Sequence, residues 1–272
     1  MNDSRIPSSP KRTEETGEDD FPQDRFKKVM DDATKTPLCL VSCGSFSPIT
    51  FQHLRMFEMA ADHAKFNTDF EVVGGYLSPV SGQYKKAGLV SAEHRIRMCQ
   101  LALERGANWL MVAPWEARQA TFQPTAQVLS KFDHEINVVQ GGVKTRTGER
   151  KQVRIALLAG ADLIHTMSDP GVWSYEDLDR ILGEYGTFII ERSGIDIDDA
   201  LASLQQWKAN IYVIPQLIPN DVSSTKIRLF IRREMSIHFL IPESVVSYIE
   251  DHRLYKDDGA GSASGLPETA KD

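Results

Sequence analysis

"LCLVSCGSFSPITFQHLRMFEMAADH", Leu38 to His63, changes character twice over a short span. An apolar, strand-like run from Leu38 to Val41 leaves through Gly44, Ser45, Ser47 and Pro48, and a helical pattern then opens at Thr50 and His53. Leu54, Phe57 and Ala61 continue that pattern as an apolar stripe. Gly44 lets backbone approach a ligand closely or take φ values that other residues avoid. Thr50 is placed to cap the helix, with His53 three positions later in the first turn, where free backbone N–H groups and the helix dipole favour an anion. A cationic His53 would reinforce that preference, and a neutral imidazole still donates one hydrogen bond. The competing reading is that His53 only caps or packs the helix end. The turn lacks the Gly-x-Gly-x-x-Gly spacing of a dinucleotide fingerprint and the Gly-Lys-Ser/Thr ending of a P-loop, so a phosphate site here is of another kind.

Working outward, short β-rich runs alternate with longer helical patterns. Strands are expected at Leu38–Val41, Glu71–Leu77, Trp109–Val112, Ile155–Leu158, Phe188–Ile190 and Ile211–Ile214. Helices are expected near His53–His63, Ala92–Arg105, Thr125–Asn137, Tyr175–Tyr185, Asp198–Trp207, Thr225–Arg233 and Glu243–Glu250. Several of the strand runs are continuously apolar, as when helices cover both faces of a parallel sheet. The fold class is therefore α/β, an open doubly wound parallel sheet with a helical C-terminal part. Ligands in such sheets sit beyond the carboxyl ends of the strands, so the strand exits carry the functional expectations.

At 272 residues and 41% hydrophobic, with no long apolar tract, the chain has enough material for one globular core and none for a membrane span. Cys39, Cys43 and Cys99 follow no metal-ligand spacing, and no apolar signal core follows Met1; both point to a reducing, intracellular location, nucleus or cytoplasm. The net charge of −7 is partly an effect of the ends: residues 1–36 hold nine acids against seven bases, and residues 256–272 four against two. Both segments read as disordered tails around one domain at 37–255, and "PKR" at Pro10–Arg12 as solvated surface rather than an import signal. "QGGVKTRTGER", Gln140 to Arg150, reads as a flexible surface loop.

Two further exits stand out. Asp221, Ser223 and Ser224 can cap a helix "TKIRLFIRR", giving a second free helix start beside Lys226 and Arg228; an ordinary cap before a basic surface is the alternative. In "GADL", Gly160 permits close approach and Asp162 can accept from ribose hydroxyls or simply cap a helix. Of four tryptophans, Trp109 and Trp207 lie in apolar patterns and read as core, whereas Trp115 and Trp173 sit in Gly/Pro loops.

"GSFSPITFQHLRMFEMA" resembles the opening motif of the nucleotidyltransferase superfamily, His or Thr, two residues, then His, read here at Thr50–His53. "SSTKIR", Ser223 to Arg228, is similar to its second phosphate motif. With "SPVSGQYKKAGL", "PWEA", "GADL", "GVW" and "SIHFLIPESVVSYIEDHRLY", the resemblance narrows to the eukaryotic type of nicotinamide mononucleotide adenylyltransferase and runs from about Leu38 to Tyr255. It implies a Rossmann-like nucleotidyltransferase fold and transfer of AMP from ATP to nicotinamide mononucleotide, and to nicotinate mononucleotide. The products are NAD or its deamido form and pyrophosphate. It implies Mg²⁺ held mainly by ATP phosphates and water, with no protein metal ligands, and a homo-oligomer without nucleic-acid or membrane partners.

Residue by residue, the resemblance assigns catalysis to His53, Lys86 and Arg228. ATP falls to Gly44, Ser45, Phe46, His53, Lys86, Gly160, Asp162, Arg192, Ser223, Ser224, Thr225 and Arg228. The mononucleotide falls to Ser45, Trp115 and Trp173, the two rings flanking the nicotinamide. By composition alone Lys85 and Lys86 are solvated surface; the resemblance singles out Lys86. The family's longer basic or cysteine-rich inserts have no counterpart here. A noncatalytic nucleotide-binding or chaperone-like module of the same fold remains the alternative function.

Overall fold

The structure is a computed structural model, and it describes residues 21–256 apart from 85, 105, 107 and 193–196. Along the chain run β1 (Thr36–Gly44), α1 (Phe51–Asn67), β2 (Phe70–Pro79), α2 (Ala92–Leu103), β3 (Leu110–Val112) and a single turn α3 (Trp115–Arg118). Next come α4 (Thr125–Asp133), prolonged by a wider turn over His134–Val139, the small hairpin β4 (Val143–Lys144) and β5 (Arg150–Lys151), β6 (Arg154–Gly160) and α5 (Ala161–Ser168). The remainder is α6 (Tyr175–Leu178), prolonged to Tyr185, β7 (Thr187–Ile190), α7 (Asp198–Ser203), β8 (Ile211–Ile214), α8 (Ser224–Arg232) and α9 (Glu243–Asp251).

Six strands form one sheet in the order β3-β2-β1-β6-β7-β8, and every pairing within it is parallel. Numbered by their own succession this is 3-2-1-4-5-6, the order of doubly wound nucleotide-binding sheets, with the reversal between β1 and β6. Alternation within β1 shows why its sequence is apolar throughout. Cys39 and Val41 enter the core shared with α4 to α7, whereas Leu38 and Leu40 enter the core shared with α1, α2, α8 and α9. All six expected strands form, and the seven expected helical patterns are helical.

Three expectations need correction. Residues 21–36 are not a disordered tail: Phe26 is 6% exposed and Met30 fully buried. Phe26 lies over Gly74, where a Cβ would stand 2.6 Å from its Cδ2, and the Lys27 N–H donates to the Val73 carbonyl at 2.8 Å. A few well-placed apolar residues suffice to dock a segment whose average composition is polar. Residues 1–20 and 257–272 lie outside the described residues. The stretch Gln140–Arg150 is tied down: Gly141 and Gly142 turn at positive φ, Val143 is buried, and Lys144 bridges to Val29. Its glycines serve a tight turn. Finally, β6 runs directly into α5, which the sequence reading treated as an exit loop.

Phe26→Ala should therefore cost about 3–5 kcal/mol of stability, the usual range for emptying a buried aromatic site. Urea denaturation measures it, and a loss under about 0.5 kcal/mol would return this segment to the tail.

Candidate active site

A cleft of about 590 Å³ opens beyond the carboxyl ends of β1 and β6, where the strand order reverses. Its walls are the β1 exit (42–46), the first turns of α1, Tyr84 and Lys86 after β2, residues 158–163 with Thr166, the β7 exit (190–192) and the start of α8. Of the residues the resemblance assigned to ATP, all but Arg228 line this cleft.

In the first loop, the Phe46 ring is buried over Gly44, so a Cβ on Gly44 would stand 2.9 Å from its Cζ. Gly44 is thus required by Phe46, which itself turns at φ 41°. The backbone N–H of Thr50 donates to His53 Nδ1 at 3.0 Å. Nδ1 must then be unprotonated, which leaves the ring proton on Nε2 as a donor. Burial, and then the nearby Lys86 charge, push the His53 pKa down to about 4. The histidine is a neutral donor at physiological pH, and the cationic form considered from the sequence is set aside.

Lys86 donates to Ser45 Oγ at 3.3 Å across the cleft mouth, and burial followed by the Arg228 charge lowers its pKa. Arg228 stands behind the wall: it is 7% exposed and one guanidinium nitrogen donates to the Ser47 carbonyl at 2.8 Å. The structure therefore does not bring Arg228 to the cleft surface, because its guanidinium is engaged by loop backbone. Lys85 lies outside the described residues.

At the second helix start Ser223 caps α8, its Oγ accepting from the Lys226 N–H at 3.3 Å. Ser224 Oγ donates to the Pro48 carbonyl at 2.8 Å, which ties the α8 start to the loop that feeds α1. Asp221 does not cap; it stands 3.8 Å from Arg192, whose other side is 3.6 Å from Asp162. These solvent-accessible pairs lie to one side of the cleft and are weak in water.

Trp115 and Trp173 are half-buried against the same core face, and neither lines the cleft. Trp173 reaches the wall indirectly, its Nε1 donating to Thr166 Oγ1 at 3.1 Å, while Lys131 Nζ lies 5.8 Å from the Trp115 ring centre. Trp207 is core, as its pattern implied, whereas Trp109 is only half-buried at the edge of the core, with its Nε1 donating to Glu58 at 3.0 Å.

Sequence reasoning missed Gln52, Met56, Tyr84, Thr166 and Asn220 in the walls. Thr166 falls one helical turn after Asp162, a spacing visible once α5 is recognised as a helix. It also missed Glu116, 2% exposed and accepting from Ser78 Oγ at 2.5 Å. Burial, opposed by that bond and by Arg95, raises the Glu116 carboxyl to about 7. Among the described residues no three His, Cys, Asp or Glu side chains cluster as metal ligands, and no helix is long and apolar enough to cross a membrane.

Two helix starts and a glycine loop gather at the switch point of a parallel sheet, an arrangement suited to the phosphates of a nucleotide and shared by the nucleotidyltransferase class of folds. The cytidylyltransferase-like family matches residues 41–230. Nicotinamide/nicotinic acid mononucleotide adenylyltransferase 1 of Saccharomyces cerevisiae is 53% identical over 256 residues, 93% of this chain and 64% of that protein. The enzyme named nicotinamide/nicotinic acid mononucleotide adenylyltransferase from Arabidopsis thaliana is 37% identical over 240 residues, 87% of this chain and 98% of that one. The chain belongs to the cytidylyltransferase-like family and, within it, to the nicotinamide/nicotinic acid mononucleotide adenylyltransferases. It spans under two thirds of the length of the yeast relatives it matches.

The titrations of Glu116 and His53 oppose one another. Glu116 sits at about 7 folded against 4.5 as a free group, so the folded state holds an extra proton in that window and stability falls as pH rises through it. His53 sits at about 4 against 6.5, so the unfolded chain protonates first and stability falls as pH drops through that window. Glu116→Gln should gain stability relative to wild type progressively from about pH 5 to pH 8 in urea titrations. A gain that does not grow with pH would mean an ordinary, ionised carboxylate.

Proposed function

We propose that the chain transfers AMP from ATP to nicotinamide mononucleotide, and to its nicotinate form, giving NAD or deamido-NAD and pyrophosphate. The observation that carries this is the joining of the α1 and α8 starts around one cleft by the Ser224–Pro48 bond. The relatives, named as mononucleotide adenylyltransferases of yeast and plant, point to the substrate class.

The nucleophile is the mononucleotide's own phosphate, already anionic, so no side chain need remove a proton. Its oxygen forms a bond to the α-phosphorus of ATP while the bond to the bridging oxygen breaks, and pyrophosphate departs with the electron pair. Catalysis then consists of alignment and stabilisation of charge on the departing group. A neutral His53 suits this, since its Nε2–H is a fixed donor. Lys86 can exchange its Ser45 contact for a phosphate oxygen, and its flexible stem can follow growing charge. Gly44, Ser45 and Phe46 would offer backbone, Ser223, Ser224 and Thr225 the second helix start, and Gly160, Asp162 and Arg192 the ribose side. Arg228 would contribute by holding the Ser47 carbonyl. A divalent ion such as Mg²⁺ would be carried mainly by ATP phosphates and water, where it would neutralise their charge. An intracellular location accords with three free thiols, and the proposed assembly is a homo-oligomer, checkable by light scattering.

Purified protein given ATP, Mg²⁺ and nicotinamide mononucleotide should produce NAD, detected by coupled reduction. Nucleotide binding without NAD would leave a noncatalytic module. His53→Ala should lower turnover at saturating ATP at least ~100-fold with the melting temperature preserved, as for loss of a transition-state donor. Near-normal turnover would make His53 structural. Trp173→Ala should raise the requirement for both mononucleotides about 10-fold and that for ATP much less. Equal loss of both substrates would mean that Trp173, through Thr166, only supports the wall.

A further inference from the structure

Lys86 sits on the loop between β2 and α2, and that loop is fastened from beneath by polar groups outside the cleft. Arg95 is fully buried and, among the described residues, pairs with no carboxylate within hydrogen-bonding distance. Its Nε donates to the Val90 carbonyl at 3.1 Å and its second terminal nitrogen to the Val80 carbonyl at 2.7 Å, so one guanidinium holds both feet of the loop. Its remaining nitrogen donates to the Ser45 carbonyl at 3.3 Å.

The second fastening is Ser47 Oγ, which lies 3.0 Å from the Gly88 carbonyl, 3.3 Å from the Val90 N–H and 3.0 Å from the Tyr255 hydroxyl. Proton accounting fixes the first two directions. A carbonyl only accepts and a backbone N–H only donates, so Ser47 donates to Gly88 and accepts from Val90. The Tyr255 hydroxyl completes the set at Ser47 Oγ, where either hydroxyl can donate, and it also stands 4.0 Å from Met98 Sδ. Gly88 is pressed against Arg228, where a Cβ would stand 2.5 Å from Nε, so the loop has little room to shift.

We infer that Arg95 and Tyr255 are positioning residues that set where Lys86 stands relative to Ser45, with Tyr255 coupling the segment after α9 to the phosphate loops through Ser47. This rests on the assignment of Lys86 to ATP phosphates. The position is unusual for a tail residue: Tyr255 is 5% exposed at φ 65°, held in the core far from the cleft wall in sequence.

The experiment is a double-mutant cycle on ATP affinity, measured by calorimetry without mononucleotide. Tyr255→Phe keeps the ring and removes only the hydroxyl; it should weaken ATP about 5-fold in the wild-type background and under about 1.5-fold in Lys86→Ala, the signature of action through Lys86. The same factor in both backgrounds, or no weakening, overturns the inference. Ser47→Ala cuts the fastening from its other side and should show the same dependence on Lys86. If the wild-type protein binds no ATP, the functional reading falls, and the tether is judged by trypsin cleavage in the Lys86 loop. Tyr255→Phe should then speed that cleavage about 5-fold, as expected for a loosened local unit. An unchanged rate overturns the tether independently of any nucleotide.

Discussion

Parallel pairing of β1 on both of its edges is the constraint from which the rest of the molecule follows. β2 pairs with it along its whole length and β6 along its middle. The chain leaving β1 crosses to β2 through α1, whose Phe57 and Ala60 pack in one core. The chain leaving β6 crosses to β7 through α5, whose Ile164 and Met167 pack in the other. Neighbouring strands thus send their exits to opposite faces, and no element is left to cover the gap between their ends. A crevice at that point is a consequence of topology before any side chain is chosen. The sequence then fills it with helix starts, glycines and donors.

Holding such a crevice open requires loops that do not collapse into it, and here the loops are held by buried polar groups. Removing a guanidinium from water is costly unless its donors are met, and Arg95 meets them with carbonyls of three loop positions, Ser45, Val80 and Val90. These carbonyl partners carry no full charge of their own, and the carboxylate that the Arg95 charge meets electrostatically is that of Glu116. The overall charge of −7 is a poor guide to the field in the cleft, which has Lys86 at its mouth and Arg228 and Arg95 behind its loops.

The sheet was legible because its strands are buried on both faces and read as unbroken apolar runs, such as Leu38–Val41 and Phe188–Ile190. The helix starts of α1 and α8 were legible because Thr50 and Ser223 are N-cap residues at the head of apolar stripes. The start of α5 was not, because Gly160 stands at its N-cap and the strand runs into the helix without a break. Phe26 and Met30 were lost in a polar average, since docking depends on single residues meeting gaps such as the one above Gly74. Arg95 and Glu116 were invisible for a different reason: sequence shows that a residue can carry charge but not that it is surrounded by protein. Arg95 did leave a trace, since it repeats with Met98, Cys99 and Ala102 on the buried side of α2.

The division of labour between His53 and Lys86 follows first from desolvation of the imidazole and then from the charge of Lys86, both of which favour a neutral ring. The Thr50 N–H adds to this by occupying Nδ1, which a cationic imidazole would need free to donate. The cleft so holds one fixed neutral donor on a helix start and one mobile cation on a fastened loop. In the proposed transfer these answer different needs. A neutral donor keeps its strength across the physiological pH range and does not bind the ground-state triphosphate as tightly as a cation would, whereas the lysine can tighten as charge moves onto the departing pyrophosphate. Stabilisation that grows along the reaction lowers the barrier, while stabilisation already present in the bound substrate does not. That difference, more than the number of positive charges, is what the neutral state of His53 contributes.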